Sequence, residues 1–127
     1  MLNEPTRGGP QRVFEPSPTS VSAARRFVAS AVRDLTVDQD AAVLLTSELA
    51  TNAVKYANRE YRIQVHRCED AVRVEVINDA PELLLMVKEP DETGGRGLHI
   101  LEALAQAWGV DHRPGAKAIW FELPIVR

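Results

Sequence analysis

The hydrophobic and polar positions along the chain change period several times, and each period predicts an element. In "SPTSVSAARRFVASAVRDL", apolar residues recur at helical spacing behind Ser17 and Pro18, which are typical of an N-cap and a first helical residue. A second helix is predicted from "TVDQ", where Thr36 and Gln39 have the capping-box spacing, to about Ala57. The segment "LHILEALAQAW" has the same period and predicts a third helix.

Other segments alternate between apolar and polar residues, as strands do. "YRIQVHR" and "AVRVEVIND" flank a short acidic turn and predict an antiparallel hairpin. "RVFEP" predicts a short strand, and "GVDH" and "AKAIWFELPIV" predict two more across the turn "RPG". Residues 80–97 contain two prolines and three glycines and predict a long loop, which in a compact domain tends to be functional or disordered. The predicted class is α+β, with helices on one face of a mostly antiparallel sheet.

Composition narrows the function classes. The 127 residues fit one domain, predicted at 11–127 behind a flexible tail at 1–10, with 45% hydrophobic and 26% charged residues. The net charge of -3 gives no electrostatic case for binding nucleic acid or an anionic membrane. No apolar run approaches the roughly 18 residues of a membrane span, and the N-terminus lacks the apolar segment of a signal peptide, so a cytoplasmic location is expected. Cys68 is the only cysteine, which leaves no intrachain disulfide and no thiolate metal cluster.

The second predicted helix places two polar groups on an apolar stripe. Glu48 and Asn52 are four residues apart and share a helix face with Ala41, Leu44 and Leu45. An ionised carboxylate is costly there unless it is paired or faces a cavity. Three interpretations stay open at this point: a hydrated boundary position, a buried hydrogen-bond network, or the floor of a ligand cavity. In the third, the carboxylate and amide oxygens would suit magnesium or a polarised hydroxyl.

Two further motifs each allow a functional and a purely structural interpretation. "GGRGL" places three glycines directly before a helix, where backbone N–H groups can bind phosphate or where glycines simply form a flexible turn. Asp79 ends the strand "VEVIND", either as a functional carboxylate or as a turn residue before Pro81. The three histidines are scattered without the spacing of metal ligands. Each motif alone is weak, but a Glu/Asn helix, a strand-ending Asp and a glycine-rich helix entry in this order are together much less likely to occur by chance.

The motifs resemble a known superfamily. "ELATNAVKYA" is similar to the N-box of the gyrase, histidine-kinase and MutL-type ATPases, "VEVINDAP" resembles their first glycine box, and "GGRGLHILEALAQAWGV" resembles the second. More narrowly, the chain resembles the small bacterial anti-sigma-factor serine kinases, in which "GRGL" precedes a helix ending in "WG" and the last strand resembles "WFEL". The resemblance covers residues 13–124 and implies an α/β sandwich of the Bergerat type.

The resemblance also implies roles for individual residues. Asn52 would coordinate the magnesium ion that bridges the phosphates of ATP, and Glu48 would be the general base for an acceptor hydroxyl. Asp79 would accept a hydrogen bond from the adenine amino group. Lys55 and Tyr56 could reach the phosphates, although surface or packing roles are equally open. The lid over the phosphates would be formed by Gly94, Gly95, Arg96, Gly97 and Leu98.

Two departures from the family pattern favour weaker ATP binding. Ala80, Pro81 and Glu82 stand where the first glycine box usually continues with glycines, so the backbone has less freedom to approach the base. Ala118 stands where the last motif often has a threonine beside the adenine. Neither departure removes the metal ligand or the base.

The resemblance implies an enzyme, a magnesium- and ATP-dependent serine/threonine protein kinase. Its expected partners are an anti-anti-sigma protein that it phosphorylates and a sigma factor that it holds inactive, and the family suggests a homodimer. An alternative is a non-catalytic interaction module with weak or lost nucleotide binding. The detached ATPase domain of a histidine kinase is less favoured, because no phosphoacceptor helix domain or sensor is recognised in the sequence.

Overall fold

The computed structural model of the protein describes residues 9–57, 59–78 and 96–126. Within these ranges the chain forms a five-stranded, fully antiparallel sheet with the strand order β1-β2-β3-β5-β4. The strands are β1 (Gln11–Phe14), β2 (Tyr61–Arg67), β3 (Ala71–Asn78), β4 (Ala107–Arg113) and β5 (Ala116–Pro124). The helices are α1 (Pro18–Ala31), α2 (Gln39–Asn52) and α3 (Arg96–Leu104). The predicted α+β class is confirmed, while the tail boundary at residue 10 stays a prediction because residues 1–8 lie outside the described ranges.

The first two helices begin in different ways. Ser17 is the extended N-cap of α1 and Pro18 its first residue, as predicted. Asp38, and not Thr36, is the N-cap of α2, and its carboxylate accepts the Ala41 N–H at 3.0 Å. The predicted capping box is therefore wrong. Gln39 instead donates from its side-chain amide to the carbonyl oxygens of Val32 and Arg33, directly after α1, at 3.3 and 3.2 Å.

The end of the second helix has a local change of geometry. After α2 ends at Asn52, Ala53–Ala57 continues as a π-helical turn, in which each hydrogen bond spans one residue more than in an α-helix. The helical segment thus reaches Ala57, as predicted. Residues 58–60 then lead to Tyr61, the first residue of β2.

The third helix is shorter than its sequence pattern predicts. It ends at Leu104, and Trp108 lies in β4, where it pairs with Phe121 of β5. Strand pairing satisfies the backbone groups that a longer helix would have used, starting with the Gln106 N–H that donates to the Glu122 carbonyl at 2.9 Å. The predicted turn after β4 is confirmed at Pro114 and Gly115, where the glycine has φ 72°, as the third position of a type II turn requires.

The core lies between the helices and one face of the sheet. Alternate residues of each strand point toward the helices, among them Val72, Val74 and Val76 of β3. Tyr61 of β2 belongs to this core and shares a 2.6 Å hydrogen bond with the Ser20 hydroxyl of α1. The face of the sheet to which Tyr61 points is therefore the helix-facing side. The main fully buried side chains of the core, besides these, are Val28, Val32, Leu45, Leu49, Ile63, Leu101, Ile119, Phe121 and Leu123.

The opposite face of the sheet contains a network of charged side chains. Glu75 is 4% exposed and contacts His66 Nε2 at 3.1 Å and Arg113 at 2.9 Å. Glu122 is 3% exposed and pairs with Arg73, whose guanidinium lies 4.2 Å from the centroid of the Trp120 ring. Both carboxylates are therefore buried and in contact with charged or polar neighbours on the same face. In the described ranges, no helix is both long and apolar enough to cross a membrane.

Candidate functional site

The two polar residues singled out on α2 have different degrees of burial. Asn52, the last residue of α2, is 8% exposed, and its side-chain Nδ2 has no hydrogen-bond partner among the described residues. Glu48, one turn earlier, is half-buried. Leaving a buried amide donor unpaired costs about 1–3 kcal/mol. A bound ligand that accepts a hydrogen bond would satisfy this donor.

The chain connectivity places Asn52 near one particular end of the sheet. The π-helical turn that follows α2 is joined to Tyr61 through residues 58–60, a connection that can span at most about 14 Å. Tyr61 pairs with Asn78, the last residue of β3. The carboxyl-terminal end of α2 and the end of β3 therefore lie at the same end of the domain.

A row of polar side chains crosses the sheet at this end. Tyr61, Asn78, Lys117 and His112 are consecutive register partners across β2, β3, β5 and β4. Paired residues in antiparallel strands point to the same face, and the Tyr61 contact with α1 shows that this is the helix-facing side. Asn78 is fully buried and donates from Nδ2 to the Glu60 carbonyl at 3.5 Å.

Lys117 is the unexpected member of this row. It is 7% exposed, and no ion pair or hydrogen bond joins its side chain to another described residue. Ala118 pairs with Ile77 and belongs to the opposite face, with Glu75 and Trp120. The residue of β5 that lies beside the end of β3 on the helix-facing side is thus Lys117 and not Ala118. Neither Asn78 nor Lys117 was singled out from the sequence, although the alternation of apolar residues in β3 could have assigned Asn78 to the helix-facing side.

Lys55 lines a different cavity. A groove of about 380 Å³ runs between α1 and the end of the second helical segment, and Glu48 and Asn52 are not among its lining residues. The lining consists of Pro18, Val21, Ser22, Arg25, Ser47, Thr51, Val54 and Lys55. The predicted contact of Lys55 with phosphates stays a prediction.

Several predicted site residues cannot be compared with the structure. Asp79, Gly94 and Gly95 lie outside the described residues, as does the side chain of Tyr56. The backbone of Arg96, Gly97 and Leu98 forms the first turn of α3, so the helix begins inside the glycine-rich motif rather than directly after it. The side chains of these three residues lie outside the described part of the protein.

The donor set at this end suits magnesium bound together with phosphates. In the described ranges no group of three or more His, Cys, Asp or Glu side chains could hold a metal ion. Magnesium often takes only one or two protein ligands, and phosphate oxygens and water complete its octahedron. Asn52 fits that arrangement, because an amide oxygen can be a ligand of this kind and the side chain is already buried. The half-buried Glu48 lies one turn away and could accept a proton from a hydroxyl.

Comparison with known proteins assigns nearly the whole chain to one family model. The model describes a histidine kinase-like ATPase domain and matches residues 14–123, from the end of β1 to the end of β5. The match includes α2 and the polar row at the sheet end, and it agrees with the extent of the resemblance in the sequence motifs. No curated protein matches the chain.

Proposed function

Since the chain belongs to the histidine kinase-like ATPase domain family, we propose that it binds Mg-ATP and transfers the γ-phosphoryl group to a serine or threonine hydroxyl of a protein partner. Family membership supports ATP binding in a regulatory protein, and the transfer to a hydroxyl rests on Glu48. The single observation that carries the proposal is the buried Asn52 amide at the end of α2, whose oxygen is a possible metal ligand and whose Nδ2, without a partner among the described residues, could donate to a phosphate oxygen.

Asn52 would hold the metal through its amide oxygen. Magnesium, when bound, neutralises charge on the phosphates and fixes their geometry, which is most of what phosphoryl transfer requires. The Asn52 side chain is confined by its burial, so it loses little conformational entropy on binding. A buried amide is also neutral, and it therefore adds no repulsion against the phosphates of the nucleotide.

Glu48 would act as the general base. Its carboxylate takes the proton of the acceptor hydroxyl while the hydroxyl oxygen forms a bond to the γ-phosphorus. The bond between the γ-phosphorus and the oxygen that bridges to the β-phosphate breaks, and ADP leaves with the electron pair. No covalent enzyme intermediate is needed, so the mechanism asks for one oriented carboxylate and no nucleophilic side chain.

The partners follow from the resemblance to anti-sigma-factor kinases. The acceptor protein would be an anti-anti-sigma factor, and the same chain would hold a sigma factor inactive, in the cytoplasm and as a homodimer. Such a protein would act through protein contacts, and the net charge of -3 gives no electrostatic support to direct nucleic-acid binding.

Two sets of measurements test the proposal. Calorimetric titration with ATP, with and without magnesium, should give magnesium-dependent binding that Asn52→Ala weakens by about tenfold or more. In a phosphotransfer assay with a candidate acceptor, Glu48→Gln should bind ATP normally and lose phosphotransfer by about 10²–10⁴-fold, the usual contribution of a general base. Glu102→Gln, at an exposed position of α3, is the matched control and should behave as the unmodified protein.

Two results would refute the assignment in different ways. If Glu48→Gln kept full phosphotransfer, Glu48 would not be the base. If the unmodified protein bound no ATP at millimolar concentration with magnesium, the chain would be a non-catalytic interaction module that keeps the fold.

A further inference from the structure

We propose that Asn78 and Lys117 read the purine base, and that this pair accepts a 6-keto purine nucleotide about as well as ATP. The inference rests on the proposed nucleotide site and specifies its base selectivity. It differs from the expectation drawn from the sequence, in which the carboxylate of Asp79 alone selects adenine.

The position of the pair supports this role. Asn78 and Lys117 are direct register partners on the helix-facing side, so their Cβ atoms lie about 4.5–5.5 Å apart. On the helix-facing side, they lie at the end of the sheet to which the chain leads from the end of α2. A nucleotide with its phosphates at Asn52 would therefore extend its base over the sheet end where this pair lies.

The burial of Lys117 indicates a ligand. A buried ammonium group is costly unless it is paired, and Lys117 is 7% exposed without an ion-pair partner among the described residues. The two register partners of Lys117 cannot balance its positive charge, because Asn78 is neutral and His112 carries no negative charge. An acceptor atom of a bound molecule would give this ammonium group a partner.

The hydrogen-bonding chemistry of the pair sets the selectivity. Adenine presents a donor at its 6-amino group and an acceptor at N1, whereas a 6-keto purine presents an acceptor at O6 and a donor at N1. A lone carboxylate only accepts hydrogen bonds and therefore selects the amino group. The Asn78 amide both donates and accepts, and the Lys117 ammonium donates, so together they can satisfy either arrangement.

Inosine triphosphate is the sharpest probe, because it differs from ATP at the 6-position and N1 and lacks the 2-amino group of guanine. Titration calorimetry with Mg-ATP and Mg-ITP should give dissociation constants within about threefold of each other. Lys117→Met, which keeps the apolar stem, should weaken both nucleotides by about tenfold or more, and Lys117→Arg should restore much of the affinity. The double variant Asn78→Asp with Lys117→Met leaves only an acceptor, and it should favour ATP over ITP by at least about tenfold.

Two control variants separate the alternatives. Asp79→Asn should leave the ratio of the two affinities unchanged, and Arg62→Met, which removes an exposed cation from the opposite face of the sheet, should change neither affinity. Circular dichroism of each variant checks that the fold is retained.

The possible results distinguish this inference from the proposed function. A preference for ATP above tenfold that disappears in Asp79→Asn would overturn the inference and leave the nucleotide site intact. Unchanged binding in a folded Lys117→Met variant would likewise overturn it. Failure of the unmodified protein to bind either nucleotide with magnesium would overturn the proposed function, and with it the base-reading pair.

Discussion

Replacing Glu75 with alanine should destabilise the protein far more than an average carboxylate substitution would. Glu75 lies at the centre of the sheet face opposite the helices, where its two oxygens contact His66 and Arg113 separately. With 4% of its surface exposed, it has little water to replace those contacts. Its removal leaves the His66 and Arg113 side chains without the carboxylate that they contact.

The magnitude follows from what each partner loses. Arg113 keeps a second contact with Asp111 at 3.3 Å, and its side chain is 35% exposed, so solvent offsets much of its loss. His66 is buried, and its Nδ1 already has no partner among the described residues, so losing the Nε2 contact leaves the ring unpaired. Removing one partner of a fully buried pair costs about 3–5 kcal/mol. After discounting Arg113 for its exposure, we expect about 2–4 kcal/mol.

Urea unfolding measures this loss directly. Glu75→Ala should lower the free energy of unfolding by that amount with an unchanged slope against urea, while Glu75→Gln, which keeps both contact distances, should cost less. Glu15→Ala, at an exposed carboxylate, is the control and should stay within about 0.5 kcal/mol. A loss below about 1 kcal/mol in Glu75→Ala would show that water replaces the network at no cost, and the reasoning from burial would be refuted.

Three further predictions concern separate parts of the fold. Asp38→Ala removes the cap on the Ala41 N–H and should lower the free energy of unfolding by about 0.5–2 kcal/mol, which urea titration measures, with Asp38→Asn as the near-neutral comparison. Gly109→Ala places a Cβ 2.8 Å from the Trp120 ring, so it should displace the indole and cost about 1–3 kcal/mol, with a changed tryptophan fluorescence as the second readout. Burial raises the pKa of Tyr61 in the folded protein, against an opposing hydrogen bond from Ser20. The stability from the protonated phenol is therefore complete below pH 10 and decreases as the pH rises above 10 through the raised pKa, so the Tyr61→Phe variant should lose less stability than the unmodified protein as the pH is raised above 10.

The order and type of the elements could be predicted from the sequence because each depends on a local period. The helix of residues 39–57 and the hairpin of β2 and β3 are examples, since their apolar spacing is short-range information. The boundaries were harder. Thr36 and Asp38 are both good N-cap residues two positions apart, and the sequence spacing favoured the wrong one.

Pairing between distant strands could not be predicted in this way. The helical period of "LHILEALAQAW" continues through Trp108, but pairing of Ala107–Arg113 with β5 takes precedence over that local preference. For the same reason, the polar row at the sheet end could not be predicted from the sequence. Asn78 and Lys117 are 39 positions apart, and only the register of β3 and β5 brings them together.

The burial of the charged network could also not be predicted from the sequence. Alternation assigns Arg73, Glu75, Trp120 and Glu122 to the same face, and for an uncovered face it predicts solvated side chains. In the structure these groups contact one another, and Glu75 and Glu122 are as buried as core residues. Burial of this kind depends on neighbours from three strands at once.

The π-helical turn at Ala53–Ala57 affects how this protein should be compared with its relatives. Such a turn behaves as a single-residue insertion in an otherwise regular helix, and helical wheels drawn through it lose their phase after Asn52. Residues 53 to 55 are therefore offset in direction from the positions that an uninterrupted helix would give them, even where an alignment needs no gap. Letter-for-letter correspondence with a regular helix preserves the direction of each position up to Asn52, and beyond that residue positions have to be compared by their direction in space.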